Sequence, residues 1–407
     1  MTDSPRADVV AQQYQKWQYP APIQNLEAWL KGSWQWFDPS HAHRLLWPDR
    51  PHRPDLDILI AGCGTNQAAV FAYTNPAAKV VAVDVSQPSL DHSKFLKDKY
   101  SLKNLELHLL PIEEVPSLDR TYDLIVSTGV LHHMADPKAG MRALAEVLRP
   151  DGVAAIMLYA RYGRAGVELM QAVFRELGLG QDEESLQMVK AALDTLSASH
   201  PLKSYLAIAP DLAFDAGMVD TFLHGRDRSY TVDECRDLVE SAGLVFQDWF
   251  LRTSYYPPRL TEPGNEFYGA VDELPDAQKW SVMERVRTQN ACHFFLATRP
   301  ERPARSYRID FASGDALDYV PLFRYRCGVR GQEVYRPGLT ISLDPTHLVF
   351  AQHVDGERSI RDIARRVAQS GVLARAEQAE MEYVALELFE GLWRSDFIAI
   401  DLSGPTA

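Results

Sequence analysis

The feature that most constrains the fold is a regular alternation of short apolar runs with helical stretches across residues 56–160. The runs are rich in β-branched residues, which is typical of strands buried on both faces of a parallel sheet. They are Leu56–Ala61, Lys79–Val85, Leu105–Leu110, Tyr122–Ser127 and Val153–Tyr159. Helical patterns occupy Gln67–Tyr73, Ser89–Lys99 and Lys138–Leu148. This alternation predicts an α/β fold with a doubly wound sheet and right-handed crossovers.

The rest of the chain predicts three further segments around this sheet. With 407 residues, and about 150 residues per domain, two or three domains are expected. Residues 1–54, rich in Trp and Pro, are interpreted as a flap over the ligands, with one helix around 7–16. Residues 165–224 carry apolar stripes at helical spacing, such as Val167, Met170, Val173, Phe174 and Leu177, which predict a helical insertion. A lid and a homodimer interface are the two roles open to it, and the homodimer interface is the one we predict.

Beyond the insertion the sheet pattern resumes and a separate module follows. Thr231 is a candidate N-cap, and Leu244–Leu251 and Cys292–Thr298 are expected strands. Residues 55–164 and 225–300 are therefore assigned to the sheet domain. Residues 306–407 are assigned to a small α+β, winged-helix-like module. Its helical stripes are Ile360, Ile363, Ala364 and Val367, and Tyr383, Leu386, Phe389 and Leu392, and its last strand is Phe397–Leu402.

Composition excludes several classes of protein. The net charge of −13 argues against a broad nucleic-acid surface and favours a neutral or basic partner. No window approaches the ~18 apolar residues that span a bilayer, and the polar N-terminus has no secretory h-region. The four cysteines have no metal-ligand spacing, so no metal site is expected and they are interpreted as reduced thiols. These features predict a cytoplasmic protein without membrane contact, with non-classical secretion left open.

The run Ile58–Asn66 joins a buried strand, a glycine turn and a helix. Gly62 and Gly64 have no Cβ, so a ligand can lie against the turn and meet backbone N–H groups. Asp84 ends the next strand, 20 residues after Gly64, where a carboxylate can accept hydrogen bonds from both hydroxyls of a ribose. A dinucleotide turn requires a third glycine where this chain has Gln67. The residues therefore favour S-adenosylmethionine (SAM) over a dinucleotide, with a purely structural turn as the remaining alternative.

These motifs together resemble those of class I SAM-dependent methyltransferases. The resemblance is carried by Gly62–Thr65, Asp84, Tyr122–His133 and Leu148–Gly152. It covers residues 56–160 strongly and 225–300 weakly. It implies a Rossmann-like sheet of seven strands with one antiparallel strand, SAM over the carboxyl ends of strands one to four, and S-adenosylhomocysteine as product.

The resemblance also implies a set of cofactor-binding residues. They are Gly62, Cys63, Gly64, Asn66, Asp84, Val85, Ile112, Glu113, Thr128 and Gly129. The chain departs from the family at Ile60, where an acid is usual, at Asn66, where the loop has a third glycine, and at Pro111, where an adenine-contacting acid is common. Ile112 and Glu113 become the expected adenine neighbours. Because of these departures, a non-enzymatic SAM-binding regulator stays open as an alternative function.

Methyl transfer needs an acceptor lone pair in line with the sulfonium in a dry site, and a base only where the acceptor arrives protonated. The catalytic candidates are Tyr14 in the flap, His132 after strand four and Tyr159 at the end of strand five. An aromatic ring such as that of Tyr14 can stabilise a cation, and His132 or its neighbour His133 can act as a base near neutral pH. Tyr159 can orient an amine or hydroxyl, and an arginine among Arg161 and Arg164 can pair with a carboxylate. For each candidate the alternative is a packing or surface role.

Two classes of methyl acceptor stay open. The acidic body, the aromatic flap and the C-terminal module favour a lysine in a basic protein. In length and layout the chain is also similar to the type of mycobacterial methyltransferase that acts on a lysine of host histone H3. The second class is a small molecule methylated on O, N or C, since the fold serves these chemistries equally.

Overall fold

The structure, a computed structural model, describes residues 9–370 and 377–404. The chain divides into two compact units, and the division passes through the strand at Val245–Trp249. The first unit holds the described residues up to Trp36, together with Pro54–Phe246 and Glu284–Glu301. The second holds Phe37–Arg53, Gln247–Met283 and the described residues from Arg302 onward. The predicted segments 1–54 and 225–300 thus each contribute to both units, and their assignment as functional segments stays a prediction.

A seven-stranded sheet organises the first unit. Its strands are β1 (Asp57–Ala61), β2 (Lys79–Asp84), β3 (Leu105–Leu109), β4 (Tyr122–Thr128), β5 (Leu148–Tyr159), β6 (Val245–Trp249) and β7 (Cys292–Thr298). Their order is β3-β2-β1-β4-β5-β7-β6; β1 to β5 pair in parallel, and β7 runs antiparallel to β5. The predicted doubly wound, Rossmann-like sheet is therefore confirmed, with strand ends shifted by a few residues.

The largest shift is at β5, which begins at Leu148 rather than at Val153. Leu148 pairs with Tyr122, and the register then shifts before the regular ladder starts. Arg149 lies in this extension and forms ion pairs with Asp57 at 2.6 Å and Asp123 at 2.7 Å. Because these pairs join residues far apart in the chain, a strand pattern alone does not reveal the extension.

Helices flank the sheet and build the insertion. In chain order those of the first unit are α1 (Val9–Lys16), α2 (Leu26–Gly32), α4 (Gln67–Thr74), α5 (Gln87–Lys99), α6 (Pro137–Glu146), α7 (Ala165–Glu176), α8 (Glu183–Thr195), α9 (Leu202–Leu206), α10 (Asp215–Phe222) and α11 (Val232–Ser241). The predicted start of α11 is confirmed, since Thr231 and Glu234 form a capping box. Gly243, with φ of +72°, follows the end of this helix.

The insertion has its own apolar core. Val167, Met170 and Phe174 of α7 pack in one cluster with Leu186 and Val189 of α8. The helical insertion is thus present as predicted. The other two members of the α7 stripe face outward, with Val173 42% and Leu177 60% exposed.

The second unit contains the predicted α+β module. Its helices are α3 (Pro39–Leu46), α12 (Glu266–Asp272), α14 (Pro345–Gln352), α15 (Ile360–Gln369) and α16 (Gln378–Arg394), and α13 (Asp276–Val286) crosses the division. β9 (Gly328–Arg330), β10 (Glu333–Arg336) and β11 (Leu339–Ser342) form an antiparallel sheet, and β8 (Val320–Phe323) pairs with β12 (Ile398–Asp401). The α15 stripe is buried as predicted. In α16, Tyr383 is exposed, and Met381, Ala385 and Leu388 are buried instead.

Two expectations from composition can be compared with the structure. All four cysteines are free thiols. Within 9–370 and 377–404, none of the helices combines the length and the apolar character that crossing a bilayer requires.

We predict that Gly166→Ala destabilises the insertion. A Cβ at Gly166 would lie 2.3 Å from the backbone nitrogen of Leu202, so α7 and the start of α9 would have to separate. Overpacking of this kind costs about 1–3 kcal/mol, and thermal unfolding should show a lower Tm. Gly32→Ala is the matched control, because a Cβ at Gly32 meets nothing within 4 Å. An unchanged Tm for Gly166→Ala would contradict this packing.

Candidate active site

A cavity of about 480 Å³ lies at the carboxyl ends of β1 to β5. Ligands of open α/β sheets bind at this edge, and the volume is within the range of small-molecule sites. The turns after β1 and β4 form one part of its wall, which we call the cofactor side. Tyrosines and acids from α1, the insertion and the end of β5 form the other part, the acceptor side.

The cofactor side collects most residues that the sequence assigned to SAM. Gly62, Cys63, Gly64, Asp84, Val85, Ile112, Glu113, Thr128 and Gly129 all line the cavity. Gly62 and Gly64 have positive φ of +78° and +54°. A Cβ at Gly62 would lie 2.4 Å from Val130 Cγ2, so this turn needs glycine there on steric grounds as well as conformational ones.

Asp84 links the turns after β1 and β2. Its Oδ2 accepts a hydrogen bond from Gly64 N at 2.8 Å, and its Oδ1 accepts one from Ser86 N at 2.8 Å. Burial raises the pKa of the Asp84 carboxyl, and these backbone N–H groups oppose the rise. A carboxylate oxygen has more than one lone pair, so the group can still accept hydrogen bonds from a ligand.

Asn66 is the one predicted cofactor residue that does not line the cavity. Its side chain accepts from Ile23 N at 2.9 Å and donates to Ala21 O at 2.9 Å, so it anchors the segment after Pro20. Gln67 lines the cavity instead and donates to Thr128 Oγ1 at 3.1 Å. The residue in place of the dinucleotide glycine therefore ties α4 to the end of β4.

The buried carboxylate of Asp220, from α10, is the centre of the acceptor side. It accepts hydrogen bonds from Tyr14 Oη at 2.8 Å, from Tyr159 Oη at 3.3 Å and from Gln13 Nε2 at 3.4 Å. Beside it, Tyr19 Oη donates to Asp211 Oδ2 at 2.9 Å. The structure thus brings the predicted residues Tyr14 and Tyr159 together on a carboxylate that sequence analysis missed.

The charge of the cavity wall is one-sided. Asp84, Glu113, Asp211 and Asp220 line it, and the described lining residues include no Lys or Arg. Burial raises the pKa of the Tyr14 and Tyr159 phenols, and the nearby Asp220 carboxylate raises both further. The phenols therefore stay neutral hydrogen-bond donors, and the wall as a whole favours a cationic ligand.

The two histidines after β4 have different positions: His132 is packed against Tyr159, and His133 lines the cavity. His132 stacks on the Tyr159 ring with centroids 3.8 Å apart, does not line the cavity, and has no hydrogen-bond partner among the described residues. Burial lowers the pKa of His132 well below its usual value. His133 lines the cavity, and its Nδ1 lies 2.9 Å from Arg226 O. The structure thus presents His133, rather than the predicted His132, to a ligand.

His133, Asp220 and His224 place one ligand atom each within 4.8 Å of one another, a set that resembles a metal site. The tautomer of His224 argues against a metal ion at this position. His224 Nδ1 accepts the N–H of Arg226 at 3.0 Å, so the neutral ring carries its proton on Nε2, which lies 3.5 Å from Tyr14 Oη. A metal ion would need the lone pair of His224 Nε2, but this nitrogen carries the proton. The three residues are therefore better described as part of a hydrogen-bond network.

Of the residues predicted around the end of β5, Tyr159 lines the cavity, whereas Arg164 is buried behind it. Arg164 has 1% side-chain exposure and forms an ion pair with Asp227 at 3.0 Å. Its guanidinium donates to Tyr205 Oη at 2.9 Å and stacks 3.6 Å above the Tyr159 ring. Arg164 therefore supports two cavity tyrosines from behind, and in this structure its guanidinium is held by Asp227 rather than placed on the cavity wall.

Sequence analysis missed the acceptor-side residues of the insertion, which are Tyr205, Asp211 and Asp220, with His224 behind them. One signal was available, because Asp220 stands between Val219 and Phe222 in an apolar helix, where an acid needs a buried partner. That partner comes from α1, some two hundred positions earlier in the chain, and local patterning does not reveal it.

Comparisons with known proteins identify proteins that are similar to this chain. Residues 52–203 match the family described as a methyltransferase domain. An uncharacterized protein of Synechococcus sp. is 26% identical over 75% of this chain and 74% of its own length. The tRNA 5-carboxymethoxyuridine methyltransferase of Escherichia coli K12 is 28% identical over 41% of this chain, and the trans-aconitate 2-methyltransferase of Deinococcus radiodurans 31% identical over 34%. The matches span 58% and 50% of those two enzymes.

Among solved structures, PKMT2 from Rickettsia typhi has the same fold. It aligns with a TM-score of 0.65 and 15% identity over 91% of this chain and 77% of its own. Its complex with AdoHcy aligns with a TM-score of 0.63. With the matched domain, the sheet order and the glycine turn beside Asp84, the chain contains a class I SAM-dependent methyltransferase domain, with SAM as methyl donor and S-adenosylhomocysteine as product.

Proposed function

We propose that this enzyme is an N-methyltransferase that acts on the side-chain amine of lysine in a basic protein segment, of which histone H3 is a candidate. The observation that carries the proposal is the acceptor side of the cavity, where Asp220 and Asp211 are surrounded by tyrosine hydroxyls and lysine or arginine is absent from the described lining. This combination of groups suits an ammonium group.

Charge selects among the acceptor classes. A carboxylate binds an ammonium through charge-assisted hydrogen bonds, and aromatic rings add cation–π attraction. An anionic acceptor, such as a carboxylic acid or a phosphate-rich RNA, would meet four acids and, among the described lining residues, no lysine or arginine. The net charge of −13 extends the same preference to a basic partner.

The cofactor side fits SAM by the chemistry of its groups. Asp84 would accept hydrogen bonds from the ribose, backbone N–H groups at Gly62–Gly64 would meet the amino-acid part, and Ile112 and Glu113 would neighbour the adenine. Bound SAM supplies an electrophilic methyl group on a sulfonium. The protein has to hold the acceptor nitrogen in line with that group and keep water out.

A radiolabelled-methyl screen tests the proposed function. We expect label from SAM to enter histone H3 and other lysine-rich proteins, with loss of labelling when the lysines are acetylated beforehand. tRNA and carboxylic acids serve as the matched negative acceptors. Labelling of a small amine without labelling of any protein would show that the acceptor is a small amine and not a protein lysine. Labelling of tRNA or of a carboxylate alone would refute the N-methyltransferase assignment.

We predict that Asp84→Ala weakens SAM binding by about 2–3 kcal/mol, the contribution of hydrogen bonds to a charged group. Isothermal titration calorimetry measures this effect directly. Because Asp84 also accepts from the Gly64 and Ser86 N–H groups, Asp84→Asn is the companion variant that keeps one acceptor oxygen, and its loss of affinity should be smaller. Unchanged affinity in Asp84→Ala would remove Asp84 from the cofactor site.

We also propose that the enzyme is a homodimer that associates through the insertion. The support is an exposed stripe on α7 and its C-cap residue Leu177. It is formed by Leu169, Val173 and Leu177 at four-residue spacing, which are exposed by 52%, 42% and 60%. The double substitution Val173→Glu and Leu177→Glu should convert the dimer to a monomer in light scattering, since charges would be buried in the interface. Leu109→Glu is the control, an equally exposed site outside the insertion. A dimer that persists in the double variant would contradict the proposed interface.

A further inference from the structure

The proposed function requires that the lysine ammonium lose a proton, and the residue that accepts this proton has still to be identified. Lysine has a pKa near 10.4, so at neutral pH its nitrogen carries three protons and has no lone pair. We propose that His133 accepts a proton from the acceptor ammonium, and that Asp220 binds this ammonium and then stabilises the imidazolium of His133. This assignment rests on the proposed function and extends it to the residues that activate the amine.

The tautomer of His133 suits this role. Its Nδ1 lies 2.9 Å from the carbonyl oxygen of Arg226, which can only accept, so Nδ1 carries the proton. The lone pair of the neutral ring is then on Nε2. His133 lines the cavity, and one of its ring nitrogens lies within 4.8 Å of an Asp220 oxygen. After proton uptake both nitrogens are donors, with a carbonyl for Nδ1 and a carboxylate close by.

The other acceptor-side groups are less suitable as bases. Burial raises the pKa of the Tyr14, Tyr19 and Tyr159 phenols, so they hold their protons, and it raises the pKa of the Cys292 thiol to about 11. Asp211 and Asp220 already accept hydrogen bonds from tyrosine hydroxyls. Burial raises the pKa of the Asp220 carboxyl, but its oxygens are already engaged by the Tyr14 and Tyr159 hydroxyls, so we assign both carboxylates to binding the cation.

The two neighbouring histidines are excluded on geometry. His132 does not line the cavity and stacks on Tyr159. His224 uses its Nδ1 lone pair for the N–H of Arg226, so its Nε2 is a donor. Its ring stacks on His133 with centroids 3.8 Å apart.

The charge of the His133 ring depends on groups from several elements. Asp220 of α10 attracts the imidazolium. His132 from its own turn and His224 after α10 are uncharged at neutral pH, since burial lowers the pKa of both. The neutral Tyr159 of β5 meets the ring edge-on at 5.6 Å. Arg164 lies behind Tyr159 and opposes the positive charge, and its partner Asp227 offsets this effect.

The step balances in atoms and charge. The ammonium held by Asp220 gives one proton to Nε2 of His133, and the N–H electron pair becomes the lone pair of the amine. This lone pair forms the new N–C bond while the C–S bond breaks, and the electron pair of that bond stays on sulfur, so S-adenosylhomocysteine leaves. The product is a methylammonium, and His133 returns its proton to solvent before the next turnover.

The test compares His133→Gln with His132→Gln in the full-length enzyme, using a lysine peptide of histone H3. In the wild type, kcat should fall at acidic pH, as is general for a reaction that needs an unprotonated base. In His133→Gln, kcat near pH 7 should fall by about 10²-fold or more and rise about tenfold per pH unit toward the pKa of the amine. His132→Gln should keep the acidic limb of the wild-type profile. SAM affinity and Tm serve as folding controls for both variants.

Two further variants separate proton transfer from binding. His133→Ala should regain activity when imidazole is added, which a purely structural role would not allow. Asp220→Asn should raise the KM for the peptide more than it lowers kcat, because a neutral amide cannot pair with the ammonium. His108→Gln, a partly exposed histidine paired with Glu106 on β3, is the control for nonspecific effects.

The outcomes distinguish the two levels of the proposal. A wild type that methylates no amine would overturn the proposed function and this assignment together. An active wild type with a His133→Gln variant that keeps the wild-type kcat and pH profile would overturn the role of His133 alone. If His132→Gln, and not His133→Gln, showed the changed pH profile, the base would be His132 and the role of His133 would be overturned.

Discussion

The hydrogen bond from Gly64 N to the Asp84 carboxylate is the interaction on which the rest of the site depends. It joins the turn after β1 to the end of β2 at 2.8 Å, and the second oxygen of the same carboxylate holds Ser86 N. Two adjacent βα turns therefore share one acidic group. Parallel strands place such turns at one edge of the sheet, and this edge is where the cavity forms.

Most groups of the acceptor side of the cavity come from outside the sheet. Tyr14 belongs to α1 and Asp220 to α10, and they meet over the end of β5, where Tyr159 adds a second hydroxyl. The insertion is thus both a compact helical unit with its own apolar core and the source of the carboxylate. The sheet edge thus carries the glycine turn and Asp84, and the insertion adds an acidic, tyrosine-lined wall beside it.

The buried cation Arg164 is compensated within the described part of the first unit. Arg164 is enclosed but paired with Asp227, and it stacks on Tyr159, whose hydroxyl in turn reaches Asp220. The positive charge of Arg164 remains behind the tyrosine ring, so the cavity wall itself stays acidic. Partners of this kind are what allow charged groups to be buried without an excessive loss of solvation.

Local sequence determined the strands, the glycine turn and the placement of Asp84, because apolar periodicity and backbone requirements act over a few residues. The sequence also identified Tyr14 and Tyr159 as candidates, but it did not identify Asp220, the carboxylate to which both hydroxyls donate. Only the tertiary structure decided that Asn66 anchors a loop, that His133 rather than His132 faces the cavity, and that Asp220 lies between the two tyrosines. Each of these depends on side chains that meet across long stretches of chain, and the direction in which a side chain points is set by packing that no local pattern records.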